Sequence, residues 1–222
     1  MKTIPCIRLA LAGAALAASC AQAAQIELYE TGPAEDSSFL RFVNAGEESL
    51  DVTAEGSKAR IALGAQDPAS DFMAVRANAT IRGTLLRGKE QSPVTLEVQP
   101  GQFATVIGVG TPLKAEVLRE EPDDFNALKA SLGFYAVDAT CRDAALLASP
   151  RNVAIFENVA DRSVQRRVIN PVALAVQLRC GGKPSGEPLD LGTLEAGERY
   201  TVFLVPGANG PRLFRAVDSL AR

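Results

Sequence analysis

The chain has 222 residues, 47% of them hydrophobic and 22% charged, which is enough apolar material for one or two packed cores. It contains no histidine and no tryptophan, so a Ser-His-Asp hydrolase is excluded and the common His and Cys zinc sites are out of reach. With 23 Lys and Arg against 26 Asp and Glu and no long basic run, it lacks the cationic face that nucleic-acid binding requires.

Residues 1–23 read as a secretory signal peptide. Lys2 and Arg8 accompany an apolar run, Leu9 to Ala18, that is too short to span a bilayer, and Ala21-Gln22-Ala23 is a small-residue cleavage pattern that starts the mature chain at Ala24. Ala17-Ala18-Ser19-Cys20 also looks like a degenerate lipoprotein box, so lipidation at Cys20 is the alternative to cleavage after Ala23. Either route leads to the periplasm. Removing one Lys and one Arg from the 23 leaves 21 bases against 26 acids, an acidic mature protein.

From Gln25 onward, short β-prone runs alternate with Gly, Pro, Asp and Asn, the spacing of an all-β sandwich. Ile26 to Tyr29 is the first expected strand. Ser38 to Val43 follows the loop Thr31 to Asp36 and carries apolar side chains on both faces, as an interior strand does. Leu50 to Val52, Arg60 to Leu63, Phe72 to Val75, Ala79 to Leu86 and Val94 to Val98 come next, with Gly88-Lys89-Glu90 as a tight turn. Phe103 to Val109 and Lys114 to Leu118 complete a first domain, 24–121.

Arg119-Glu120-Glu121-Pro122-Asp123-Asp124-Phe125 then reads as a solvated acidic hinge. Its carboxylates cannot be buried as a group, and Pro122 lacks a ladder donor. Similar events recur beyond it at nearly constant offset. Asn44 finds a counterpart in Asp138, and Gly101-Gln102-Phe103-Ala104-Thr105-Val106 one in Gly197-Glu198-Arg199-Tyr200-Thr201-Val202, so a tandem repeat with a second domain, 122–222, is expected. Its strands are Leu132 to Val137, Asn152 to Asn158, Arg166 to Ile169, Val172 to Cys180, Leu189 to Leu194 and Tyr200 to Val205, with Gly181 to Gly186 a loop. Short helices are expected at Asp124 to Lys129 and Asp143 to Leu147. The fold class is therefore all-β, two tandem sandwich domains of similar topology joined by a short acidic hinge.

Cys141 and Cys180 pair as one disulfide in an oxidising compartment; two separately buried thiols are the alternative. Glu120, Glu121, Asp123 and Asp124 would be the acids of any carboxylate chemistry, but they lack the spacing of a calcium loop. No metal site and no cofactor is expected. Phe42, Phe103, Phe134, Phe156, Tyr200 and Phe203 fall inside strands and read as core, whereas Tyr29, Phe72, Phe125 and Phe214 lie nearer element ends and suit a protein interface better than a sugar platform. Arg166-Arg167 before Ile169-Asn170-Pro171 either meets a partner's carboxylates or precedes a simple extended turn.

Leu28-Tyr29, Pro33, Ser37-Ser38-Phe39-Leu40-Arg41-Phe42-Val43-Asn44-Ala45, Ser70-Asp71-Phe72, Glu120-Glu121-Pro122, Phe125 and Ile169-Asn170-Pro171-Val172, in that order, resemble the AlgF family of alginate biosynthesis proteins. The resemblance covers essentially the whole mature chain. It implies a periplasmic accessory protein for exopolysaccharide O-acetylation, working beside a periplasmic SGNH-type acetyltransferase and a membrane-bound acyltransferase; AlgF-like proteins also resemble components of cellulose acetylation systems. Two features depart from the family pattern: the Cys141 and Cys180 pair, and Gly133-Phe134-Tyr135 where an Arg-bearing strand would stand. A non-catalytic adaptor is the expected function. The alternatives are an acetyl carrier acting through Ser37 or Ser38, for which no activating base is readable, and a polysaccharide-binding module. Tyr29, Phe125 and Arg167 are the expected partner contacts, each pairing polar groups with an apolar neighbour at a loop or strand end.

Overall fold

The computed structural model describes residues 37–121 and 126–221. In the first half, β1 (Ser37–Asn44), β2 (Leu50–Ala54), β3 (Arg60–Leu63), β4 (Met73–Arg76), β5 (Ile81–Arg87), β6 (Glu90–Leu96), β7 (Phe103–Val109) and β8 (Lys114–Glu120) form two sheets, ordered β4-β1-β7-β8 and β3-β2-β5-β6. The second half contains β9 (Ala130–Ala136), β10 (Ala144–Ser149), β11 (Val153–Val159), β12 (Ser163–Ile169), β13 (Val172–Cys180), β14 (Lys183–Leu194), β15 (Arg199–Gly207) and β16 (Gly210–Val217). Its sheets run β12-β9-β15-β16 and β11-β10-β13-β14. The two halves thus share one topology, down to the parallel pairs β1 with β7 and β9 with β15.

Period-two alternation sorts the side chains of these strands into three cores. Leu40 and Phe42 of β1 with Ala104 and Val106 of β7 meet Leu50, Val52, Leu85 and Val94 of the facing sheet, forming the first sandwich. Leu132 and Phe134 of β9 with Val202 and Leu204 of β15 meet Leu146, Val176 and Leu178, forming the second. The other face of the same inner strands supplies a third core, in which Val43, Ile107 and Leu118 pack on Tyr135, Phe203 and Phe214. The inner sheets, β4-β1-β7-β8 and β12-β9-β15-β16, are therefore back to back, and β1, β7, β9 and β15 are covered on both faces. That double burial explains why these strands read as nearly continuous apolar runs.

Register shows how the repeats correspond. Arg41 faces Thr105 across β1 and β7, and Gly133 faces Thr201 across β9 and β15, so Gly133 occupies the place of Arg41. Asn44 and Asp138, the latter two residues further along by this register, make the same kind of side-chain turn: Asn44 Oδ1 accepts from Gly46 N at 2.9 Å and Asp138 Oδ1 from Thr140 N at 2.9 Å. The two halves brace this turn differently. Arg87, ending β5, donates Nη2 to Asn44 Oδ1 at 2.9 Å. Cys180, ending β13 at the matching ladder position, is bonded to Cys141 with the Cα atoms 4.9 Å apart.

Several expectations need correction. Residues 144–149 are strand β10 rather than a helix beginning at Asp143, because pairing to β11 and β13 overrides the helix propensity of Ala144-Ala145-Leu146-Leu147. Asn126 to Lys129 forms a turn in which Leu128 N donates to Asn126 Oδ1 at 2.9 Å; the rest of that expected helix lies outside the described residues. The loop after β13 is only Gly181-Gly182, and β14 starts at Lys183. Strand β16 was not anticipated. Phe72 and Phe214 are 1% and 9% exposed, because both pack in the seam between the inner sheets or beside it. Glu120 is 8% exposed, not a solvated hinge residue, for the reason given below. The strand expected at Ile26 to Tyr29, the leader and residues 122–125 lie outside the described residues.

Candidate functional site

The seam between the inner sheets carries the densest polar chemistry of the described residues. Arg41 projects from the middle of β1 away from its own sandwich and is completely buried. Its Nε donates to Thr105 Oγ1 at 3.0 Å, Nη1 to Asp218 Oδ1 at 2.6 Å and Nη2 to Thr201 Oγ1 at 3.1 Å. Aromatic faces enclose the guanidinium, whose carbon lies 4.3 Å from the Phe72 ring centroid and 4.9 Å from that of Phe203. Arg41 and Thr105 come from the first half, Thr201 and Asp218 from the second.

A second arginine completes the cluster from a neighbouring strand. Arg166 lies opposite Gly133 on the β12–β9 ladder, and a Cβ on Gly133 would fall 2.7 Å from its Nη2. Glycine leaves the space through which the guanidinium crosses the strand, and any side chain there would have to displace it. Arg166 Nε and Nη2 donate to Glu120 Oε2 and Oε1 at 2.9 and 3.0 Å, and Nη2 also reaches Asp218 Oδ2 at 2.7 Å and Thr201 Oγ1 at 3.2 Å. Arg199 Nη2 makes a further bridge to Glu120 Oε1 at 3.3 Å. Thr201 accepts from both arginines while donating to Asp218 at 2.7 Å, which uses its one hydroxyl hydrogen and both lone pairs.

These contacts fix the protonation states. Burial pushes the Asp218 carboxyl up, but Arg41, Arg166 and the Thr201 hydroxyl outweigh it and hold the group below the ordinary carboxylate value. Burial likewise depresses Arg166, yet Asp218 and Glu120 more than reverse this and raise it above the usual arginine value. Burial pushes the Tyr135 phenol up to about 12. Each carboxylate is thus held by two guanidinium groups, and the pairs Arg41–Asp218, Arg166–Glu120 and Arg199–Glu120 lock the halves together. Among the described residues no group of three His, Cys, Asp or Glu side chains is placed to hold a metal ion.

A model of the family described as "Alginate O-acetyl transferase AlgF" matches residues 10–201. The chain belongs to the AlgF family. Family membership carries a part in alginate O-acetylation. A solved structure of the C-terminal domain of AlgF from P. aeruginosa is 20% identical, with 40% of this chain and 98% of that one covered at a TM-score of 0.34. A putative cell adhesion protein from Bacteroides uniformis is 9% identical, with 84% of this chain and 99% of that one covered at a TM-score of 0.33. The Bacillus anthracis TIE protein is 11% identical over 82% of this chain and 44% of its own, at a TM-score of 0.27. No curated protein matches the chain.

Of the three expected partner contacts in this AlgF-family chain, Tyr29 and Phe125 lie outside the described residues. Arg167 is exposed on β12, an edge strand, and its Nη1 donates to Ile155 O of β11 at 2.6 Å, tying two sheet edges together. It points away from the buried cluster, to which its neighbour Arg166 belongs. The sequence reading missed Arg41, Glu120 and Asp218 as partners because they are joined only by the fold. The one local sign was an arginine between Leu40 and Phe42 in a strand apolar on both faces.

Proposed function

We propose that the chain is a non-catalytic periplasmic adaptor of alginate O-acetylation, holding an SGNH-type acetyltransferase beside a membrane-bound acyltransferase. The supporting observation is the distribution of exposed large hydrophobic side chains. Of the six among the described residues, Leu128 leads into β9, Val153 opens β11, Val168 lies near the end of β12, Val172 opens β13 and Val217 closes β16, each between 47% and 80% exposed, while the sixth, Leu220, bridges to Phe72 of the first half. The registers and the short β12–β13 link put all five at one end of the second half, where the linker from β8 enters. A cluster of apolar side chains with Arg167 among them has the make-up of an interface centre and its rim.

The acetyl-carrier alternative has less support. Ser38 is fully buried on β1, its hydroxyl donating to Gln99 O at 2.7 Å, so it is neither accessible nor free to be activated. Among the described residues no helix is long and apolar enough to cross a membrane, and the Cys141–Cys180 bond suits an oxidising compartment. Co-purification with the acetyltransferase tests the adaptor. Val153→Lys with Val168→Lys, and separately Tyr29→Ala, Phe125→Ala and Arg167→Ala, should weaken the complex and lower polymer acetylation without shifting the melting temperature. Full complex formation by every variant would show that the contact lies elsewhere.

A further inference from the structure

The opposite end of the molecule, where β7 and β15 finish, has another character. Three adjoining clefts of about 550, 400 and 390 Å³ surround the tip of the β15–β16 hairpin, and all three share Gly207. Both halves build them: Gly110 and Thr111 follow β7, while Pro206 and Gly207 close β15. Two of the clefts thus draw walls from both halves, and the third is built by the second half with Glu47 of the first.

We infer that this end docks a lysine- or arginine-bearing segment of a partner protein. Seven acidic residues line the clefts against five basic ones, and three of the five bases are occupied. Arg87 donates to Gly108 O and Gly110 O at 2.8 and 3.1 Å, Arg162 lies 3.3 Å from Glu116 and 3.8 Å from Asp161, and Arg212 reaches Ala45 O at 3.4 Å. Arg87 and Arg212, held on neutral carbonyls, stay cationic, and Arg162 takes up Glu116 and Asp161, so the acidic surplus of the clefts is two and its exposed members are Glu47, Glu48 and Glu187.

Asp138 supplies an independent sign. It lines the middle cleft at 2% exposure, with Oδ1 accepting from Thr140 N and Oγ1 at 2.9 and 2.6 Å, while its buried Oδ2 receives no hydrogen bond. In the first half the residue that makes the similar turn, Asn44, lies two positions earlier in the register and is neutral, and its amide donates to Glu48 O and Leu63 O. The second half has thus placed a carboxyl with one unbonded oxygen beneath the cleft floor. An acceptor left without a partner in a low-dielectric setting favours a donor or cation brought to the cleft above it. No aromatic side chain lines any of the three clefts, so they offer no stacking platform for sugar rings, and a polyuronate would meet like charge.

The inference rests on the adaptor reading in one respect: an adaptor needs a second surface, and this one is remote from the apolar end. Pentalysine titrated into the isotope-labelled protein at low salt tests it by NMR. Amide shifts should concentrate at residues 46–48, 110–111, 138–140 and 207–210. Glu47→Lys, Glu48→Lys and Asp161→Lys combined should weaken binding about tenfold or more, whereas Glu195→Lys with Glu198→Lys, at the other end, should leave it unchanged. Shifts spread evenly over the surface, equal weakening by both sets, or an oligomannuronate binding the clefts in place of pentalysine would each overturn the inference. Should the apolar-end variants keep the acetyltransferase while the clefts still select pentalysine, the placement of the acetyltransferase contact fails and this surface stands.

Discussion

Replacing Asp218 by Asn tests the lock between the halves most directly. The substitution keeps the shape of the side chain and removes the charge that Arg41 Nη1 meets at 2.6 Å and Arg166 Nη2 at 2.7 Å. Arg166 retains Glu120. Arg41 does not have a second carboxylate; it is left completely buried with two threonine hydroxyls and aromatic rings as its company. Breaking a buried ion pair from one side costs about 3–5 kcal/mol, and in a protein of this size each kcal/mol moves the melting temperature by about 2–4 °C. A fall of roughly 6–20 °C at pH 7, read by calorimetry, is therefore expected. Arg41→Met added to Asp218→Asn removes the stranded cation as well, so the double variant should lose less than the sum of the singles by about 1–3 kcal/mol. A single-variant loss under about 1 kcal/mol, or strict additivity, would refute the assignment of Arg41 and Asp218 as one buried pair.

The same pair sets a pH dependence. Because the folded carboxyl of Asp218 sits below its ordinary value of 3.8, its contribution is complete above that value and disappears as pH falls through the folded value; the melting difference between wild type and Asp218→Asn should hold from pH 8 to pH 5 and shrink only below about pH 4. Constancy of that difference into strong acid would contradict it. Cys141→Ala with Cys180→Ala should cost about 3–4 kcal/mol, with hydrogen exchange accelerating at β10 and β13 before β2 and β5; uniform acceleration would refute a local brace. Gly133→Ala sets a methyl group against the Arg166 guanidinium and should cost about 1–3 kcal/mol by displacing it. A neutral result in a melting experiment would show that Arg166 moves freely.

Legibility in the sequence followed the range over which each structure is held. Arg60–Leu63, Phe103–Val109 and Val172–Cys180 have the bounds that their β-branched runs and flanking turn residues suggest. The repeat was also legible, since the closing strands β7 and β15 keep the same glycine-led pattern. Strand β10 was not, because Ala and Leu favour helix and only its partners on both sides make it a strand. The polar cluster left almost no trace. Arg41 and Asp218 are 177 positions apart, and no local pattern encodes a contact made between two separate sandwiches. Gly133, which looked like the loss of an arginine, is the opening through which Arg166 supplies one from the next strand. The acidic stretch before the linker was misjudged for a related reason: burying one of its members, Glu120, requires two arginines from the other half.

The unequal bracing of the two turns divides the chain's maturation by compartment. In the first half the tie is Arg87 to Asn44, a charge-assisted hydrogen bond indifferent to redox conditions. In the second half the corresponding tie is covalent and awaits an oxidant. Protein made in a reducing cytosol therefore has one half fully fastened and the other lacking its staple, and reductant given to the finished protein loosens only the latter. Oxidation of a single cysteine pair therefore decides when the wall of the middle cleft at Asp138 to Thr140, next to Cys141, becomes firm, while the walls supplied by the first half wait for no oxidant.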